Sequence, residues 1–90
     1  MKTWTIQTSQ TFNKQLDGLE FETKKRVLAY LKKKVANSPN PKLLAKPLQG
    51  KFKGCWRYRV GDYRIIVDIQ DNICTIVAIE IGHRKDIYDV

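Results

Sequence analysis

Hydrophobic and polar positions change period along this chain, and each change predicts a new element. Between residues 2 and 8, Trp4, Ile6 and Thr8 alternate with Thr3, Thr5 and Gln7. A period of two with β-branched content predicts a short first strand. The spacing then lengthens. Ser9 stands where an N-cap belongs, Phe12 and Leu16 lie one helical turn apart, and Asp17-Gly18 supplies a stop, so a short helix is expected. A second helix is predicted from Glu20 to about Ala36. Phe21, Lys24, Leu28, Leu31 and Val35 form one stripe with Val27 beside it, while Lys25, Lys32 and Lys33 fall largely off it and make a basic surface.

Ser38-Pro39-Asn40-Pro41 ends that helix, because each proline disfavours helical conformation in the residue before it. Residues 42–53 read as a long connection punctuated by Pro47 and Gly50, with a helical turn possible at Leu43-Leu44-Ala45. After Gly54 the period of two returns as a meander: strand 55–60, a Gly61-Asp62 turn, strand 63–70, an Asp71-Asn72 turn and strand 73–81. Turns this short force antiparallel pairing. The expected fold is therefore α+β in two layers: an N-terminal strand, a two-helix hairpin, then a three-stranded antiparallel meander. The helices should cover one sheet face and leave the other open. Trp4, Phe12, Phe21 and Trp56 are assigned to the core.

A length of 90 residues predicts one domain over 1–90, and 42% hydrophobic residues suffice for a core without disulfides or metal. The charge balance is less ordinary. Seventeen Lys and Arg against nine Asp and Glu give a formal charge of +8, which calls for an anionic partner. The start of the chain lacks the apolar core of a signal peptide, and the longest apolar run, Ile76-Val77-Ala78-Ile79, is far too short to span a bilayer. A cytoplasmic protein with no membrane partner is expected. Cys55, Cys74 and the single histidine, His83, are not at metal-ligand spacing, so neither a metal site nor a cofactor is expected.

Alternation on strand 55–60 puts Arg57 and Arg59 on the face opposite Trp56 and Tyr58. Arg64 lies just past the hairpin turn, and Arg84 follows the last strand. Four arginines are thus expected to converge at one end of the open face, unless they are merely solvated or paired with Asp62, Asp68 and Glu80. Guanidinium forks grip phosphate through two hydrogen bonds and stay charged at physiological pH, so such a cluster suits a phosphodiester. His83 is the side chain whose ordinary pKa lies nearest neutrality, a candidate proton shuttle or a structural strand end. Tyr88 is a candidate for stacking on a base or for anchoring the C-terminal segment. Lys25, Lys32 and Lys33 on the helix, with Lys51 and Lys53 in the connection, provide non-specific attraction to phosphate, since acidic residues are all but absent between Glu22 and Asp62.

Three stretches carry a family resemblance: Leu48-Gln49-Gly50, Trp56 through Ile66 (WRYRVGDYRII), and Gly82 through Tyr88 (GHRKDIY). They resemble the RelE/ParE superfamily of toxins from type II toxin-antitoxin pairs, and the order of elements fits over nearly the whole chain. RelE-like members are ribosome-dependent endoribonucleases that cut mRNA in the ribosomal A site; ParE-like members share the fold and poison DNA gyrase. The resemblance implies that Arg64 is the transition-state arginine, Arg84 a second phosphate-binding arginine and Tyr88 the residue that orients or stacks on the substrate. Arg57 and Arg59 fall where RelE has lysines, and arginine cannot in practice act as a general base. His83, the RNA or the ribosome would then supply that group. The expected activity is a metal-independent mRNA interferase that inhibits translation, with ribosome, mRNA and an acidic, partly disordered cognate antitoxin as partners. The alternatives are a gyrase inhibitor without nuclease activity and a non-catalytic RNA-binding module.

Overall fold

The computed structural model describes residues 3–84. Strand β1 (Thr5–Thr8) leads into helix α1 (Gln10–Asp17), and α2 (Phe21–Ala29) follows directly. Ser9 joins the first two. Its Oγ accepts a hydrogen bond from the Phe12 amide at 2.9 Å, as an N-cap should, and donates to the Ile79 carbonyl at 2.6 Å. Beyond Ala29 the same helix runs on as wider π turns over Tyr30–Val35, where the Ala36 amide reaches back five residues to the Leu31 carbonyl.

The connection that follows holds a 3₁₀ turn, Pro41–Leu44, and a two-residue strand, β2 (Lys46–Pro47), before β3 (Trp56–Val60), β4 (Tyr63–Gln70) and β5 (Thr75–His83). One five-stranded sheet results, in the order β1-β5-β4-β3-β2. The meander is antiparallel as expected; β1 pairs with β5 in parallel. The sequence reading missed β2, and it stopped the last strand two residues early, since β5 continues through His83.

A bulge in β5 lies at Ile79, because Ile66 pairs with Glu80 while Val67 pairs with Ala78. Beyond it β1 no longer accompanies β5, and α1 takes over the exposed edge. Ser9 covers the Ile79 carbonyl, and the Gln15 side-chain oxygen accepts from the Ile81 amide at 2.8 Å. Backbone groups that would otherwise lack partners are thereby satisfied by two side chains of one short helix.

Core packing follows from this arrangement. Phe12 and Leu16 from α1, and Val27, Leu31 and Val35 from the longer helix, lie on Tyr58, Val60, Ile65, Val67, Ile76, Ala78 and Ile81. The buried stripe of that helix is thus Val27–Leu31–Val35, with Leu28 at its edge. Phe21 was expected in the core but is 71% exposed, because the helix begins at that residue, before the stripe meets the sheet. Among the described residues no helix is long and apolar enough to cross a membrane.

The Tyr58 hydroxyl, fully buried, donates to the Pro41 carbonyl at 2.9 Å and pins the 3₁₀ turn to the sheet. Burial, and secondarily the neighbouring Tyr30, raise its pKa far above the ordinary phenol value near 10. A raised folded-state pKa contributes stability that is complete below pH 10 and is lost as pH climbs past it. Tyr58→Phe should therefore cost about 1 kcal/mol at pH 7, and the gap to the parent should narrow above pH 10. Urea unfolding at pH 7 and pH 11 reads both values.

Candidate anion-binding site at the β3–β4 hairpin

The hairpin between β3 and β4 has a two-residue turn, Gly61-Asp62, closed by the Val60–Tyr63 pair. Gly61 has φ of +58°, the sign a type II′ turn requires at its first position. It meets a second demand as well. A Cβ built there would lie 3.3 Å from a guanidinium nitrogen of Arg26, which reaches the turn from α2.

Register sorts the side chains of this end of the sheet onto two faces. Arg59, Arg64 and Gly82 sit opposite one another on adjacent strands, as do Arg57, Ile66 and Glu80 one step along. Paired residues share a face, so Arg57, Arg59 and Arg64 all project from the side away from the helices. Val60, Tyr63 and His83 are likewise in register, and Val60 belongs to the helix-side core.

Arg59, Arg64 and Arg84 line one shallow cleft of about 190 Å³ together with Gly61 and Asp62. Arg57 stands on the same face but one pair farther down the strand, outside the cleft. Three of the four arginines therefore converge as expected, and the fourth flanks them. The face is less open than predicted, because Arg64 is only 5% exposed and Ile66 1%. β4 is the middle strand of the meander, with β3 on one side and β5 on the other.

The Arg59–Arg64 register sets two guanidinium groups directly across a strand pair, a placement that suits an anion between them. Arg84 is held next to them by its amide, which donates to the Asp62 carbonyl at 2.7 Å. Its Nε lies 3.9 Å from the Asp62 carboxylate, with both side chains more than half exposed. Such a pair is weak, and a phosphate would compete for it readily.

His83 sits elsewhere. Its ring meets Tyr63 edge to face at 5.4 Å on the helix side, and both line a second cleft of about 430 Å³ with Gln15, Leu19, Glu80, Ile81 and Gly82. His83 pairs across the sheet with Tyr63, one residue out of phase with Gly82 opposite Arg64, so it lies on the other face from Arg59 and Arg64 and outside the cleft they line. Tyr88 lies outside the described residues.

Lys25, Lys32 and Lys33 are exposed on the helix, and Lys51 and Lys53 are exposed before β3. Lys42, in the same connection as Lys51 and Lys53, is committed to structure. It lies 2.6 Å from Asp71 and over the Trp56 ring. Arg26, not among the expected site residues, is brought beside the hairpin turn by α2. Its signal was present: α2 and the Gly61 turn are the elements that must meet if the helix packs on that end of the sheet.

Comparison with known proteins places the chain among toxins. A family model described as the ParE toxin of type II toxin-antitoxin system, parDE, matches residues 6–88. Toxin RelG of Mycobacterium tuberculosis is 37% identical over 51 residues, covering 57% of this chain and 59% of RelG, so the match spans less than two thirds of that relative. The RelBE2 toxin-antitoxin complex from Mycobacterium tuberculosis contains a chain with TM-score 0.84 and 25% identity, over 93% of this chain and 94% of that one. The RelB-RelE antitoxin-toxin complex from Methanococcus jannaschii gives TM-score 0.66 at 28% identity, over 92% and 95% of the two chains.

Proposed function

The chain belongs to the ParE toxin family of type II toxin-antitoxin systems, within the RelE/ParE superfamily, and from that premise we propose that it is a ribosome-dependent endoribonuclease that stops translation by cutting mRNA. The observation that carries this reading is the convergence of Arg59, Arg64 and Arg84 on one cleft, with Arg64 desolvated at its floor.

Cleavage of RNA by its own 2′-hydroxyl needs in-line geometry, a proton acceptor, a donor for the leaving 5′-oxygen and cations around the pentavalent phosphate. The arginines meet the last need. Desolvation strengthens the contact of Arg64 with the developing charge, and strand backbones fix two of the three side chains beforehand. With His83 on the opposite face of β5, the proton acceptor is assigned to the RNA or the ribosome, with Tyr88 as the donor to be tested. Lys25, Lys32, Lys33, Lys51 and Lys53 add long-range attraction to ribosomal RNA, so Lys32→Ala should weaken association and lessen its salt dependence while sparing single-turnover cleavage.

Solved relatives are complexes of toxin with antitoxin, which supports a cognate antitoxin here too. Against a charge of +8, the matching antitoxin segment is acidic and orders as it binds. A second reading has one specific observation in its favour: the matching family model is that of ParE, and ParE-like members act on gyrase. One paired experiment decides. In a purified translation system the chain should cut mRNA only when ribosomes are present, and a gyrase supercoiling assay at excess toxin should be unaffected. Intact message together with blocked supercoiling would install the gyrase reading instead.

A further inference from the structure

The arginine cleft ends at the Gly61-Asp62 turn, and a second cleft begins on the other side of it. Thr23, Arg26, Val60, Asp62 and Tyr63 line this second cleft, of about 180 Å³, so Asp62 borders both. Tyr63 in turn borders the larger cleft that holds His83 and Gln15. The three hollows thus follow one another over the hairpin end, sharing Asp62 and then Tyr63.

Resting on the nuclease reading, we propose that single-stranded RNA follows this track: one phosphate sits among Arg59, Arg64 and Arg84, the chain crosses the turn, and Arg26 takes a neighbouring phosphate while Tyr63 and His83 hold a base. The turn permits the crossing because its first residue has no side chain. Arg26 packs its guanidinium against that bare Cα, with three of its atoms 3.3 to 3.7 Å from where a Cβ would be. Among the described residues Arg26 enters no ion pair or hydrogen bond of its side chain, so its five donors are available to a ligand. At the ridge the Asp62 carboxylate has Arg84 on one side and Arg26 on the other, so the crossing is cationic overall.

Beyond Arg26 the surface changes from cationic to a hollow lined by Tyr63, His83 and Gln15, with the Glu80 carboxylate among its lining. Tyr63 and His83, already ring to ring at 5.4 Å, offer the kind of surface on which unstacked bases are held. Gln15 lines the same hollow with its oxygen engaged by the Ile81 amide. That engagement fixes the orientation of the side-chain amide and leaves its NH₂ as a donor for an acceptor on a base edge. His83 thus serves in binding, as a stacking partner, and the proton chemistry takes place on the other face.

The test is steady-state and single-turnover cleavage of ribosome-bound mRNA by the full chain. Arg26→Ala should raise KM about tenfold and leave kcat within about twofold, the pattern of lost uniform binding. Arg26→Lys should recover part of the loss, because charge is kept and the fork is not. Tyr63→Leu should likewise raise KM about tenfold by removing a stacked base, and His83→Ala should raise KM without altering the pH dependence of kcat. Thermal unfolding of each variant separates these effects from damage to the hairpin. An active parent with unchanged KM in both Arg26→Ala and Tyr63→Leu would overturn the track and leave the nuclease reading standing; an inactive parent removes that reading itself. Arg26→Ala that weakens only the antitoxin complex, with KM unmoved, would reassign the residue to a protein partner and also overturn the proposal.

Discussion

Replacing Arg64 by alanine is expected to lower single-turnover mRNA cleavage by about two to three powers of ten, the scale of losing one preorganised charge at the transition state. The size of the effect follows from where the residue sits. It is 5% exposed in the middle strand of the meander, directly across from Arg59 and from Gly82. A guanidinium held there is largely stripped of water before substrate arrives, so its attraction to a phosphate is weakly screened. Arg64→Lys should remain well below the parent, because a single ammonium cannot reproduce the two-pronged contact. Arg84→Ala should fall less far. Its side chain is 59% exposed and already shared with Asp62, so less of its charge is at work on the phosphate. Rates measured at equal ribosome occupancy give these comparisons directly.

The largest effect on stability is expected from Phe12→Ala, a loss of about 3–5 kcal/mol. Phe12 is fully buried in the layer between α1 and the sheet, and its amide is also the group that Ser9 caps. Deleting the ring leaves a cavity that a helix of eight residues, anchored at Ser9 and Gln15, cannot close by shifting. For a small domain with a total stability of about 5–15 kcal/mol this is a large fraction. Urea unfolding should show a lower midpoint with an unchanged slope, since the same surface is exposed in both proteins.

Most of the architecture was legible because its signals were local. β4 matches the expected strand at both ends, Tyr63 and Gln70, because turn residues bound an alternating run. Ser9 caps α1 as read, through a contact only three residues long. What escaped depended on distant neighbours. β2 is two residues of which one is proline, and it exists only by pairing with Trp56 and Arg57. The second turn of the meander puts its left-handed residue at Cys74, φ of +47°, two positions past the Asn72 that composition favours, because Asp71–Ile73 closes as a 3₁₀ turn first.

The site divides the same way. Alternation alone placed Arg57 and Arg59 together, and the short hairpin placed Arg64 opposite Arg59. The burial of Arg64, 5% exposed, could not be read, because alternation tells which face a side chain takes and not how deeply it is covered. Nor could the face of His83, which follows from β5 running two residues beyond its expected end and pairing with Tyr63. Arg26 was invisible as a site residue for a similar reason. On the helix it is one cation among many, and only the packing of α2 against the hairpin sets it beside Gly61.

The chemistry assigned to the arginine cleft is tested most directly by the ends it leaves on the RNA. If Arg59, Arg64 and Arg84 surround a phosphate attacked by the adjacent 2′-hydroxyl, the upstream fragment of ribosome-bound mRNA carries a 2′,3′-cyclic or 3′-phosphate and the downstream fragment a 5′-hydroxyl. A single 2′-deoxy substitution at the scissile nucleotide should then abolish the cut. Mass spectrometry of the fragments reads both. A 5′-phosphate on the downstream fragment, undiminished cleavage of the deoxy-substituted message, or no cleavage with ribosomes present would contradict the account.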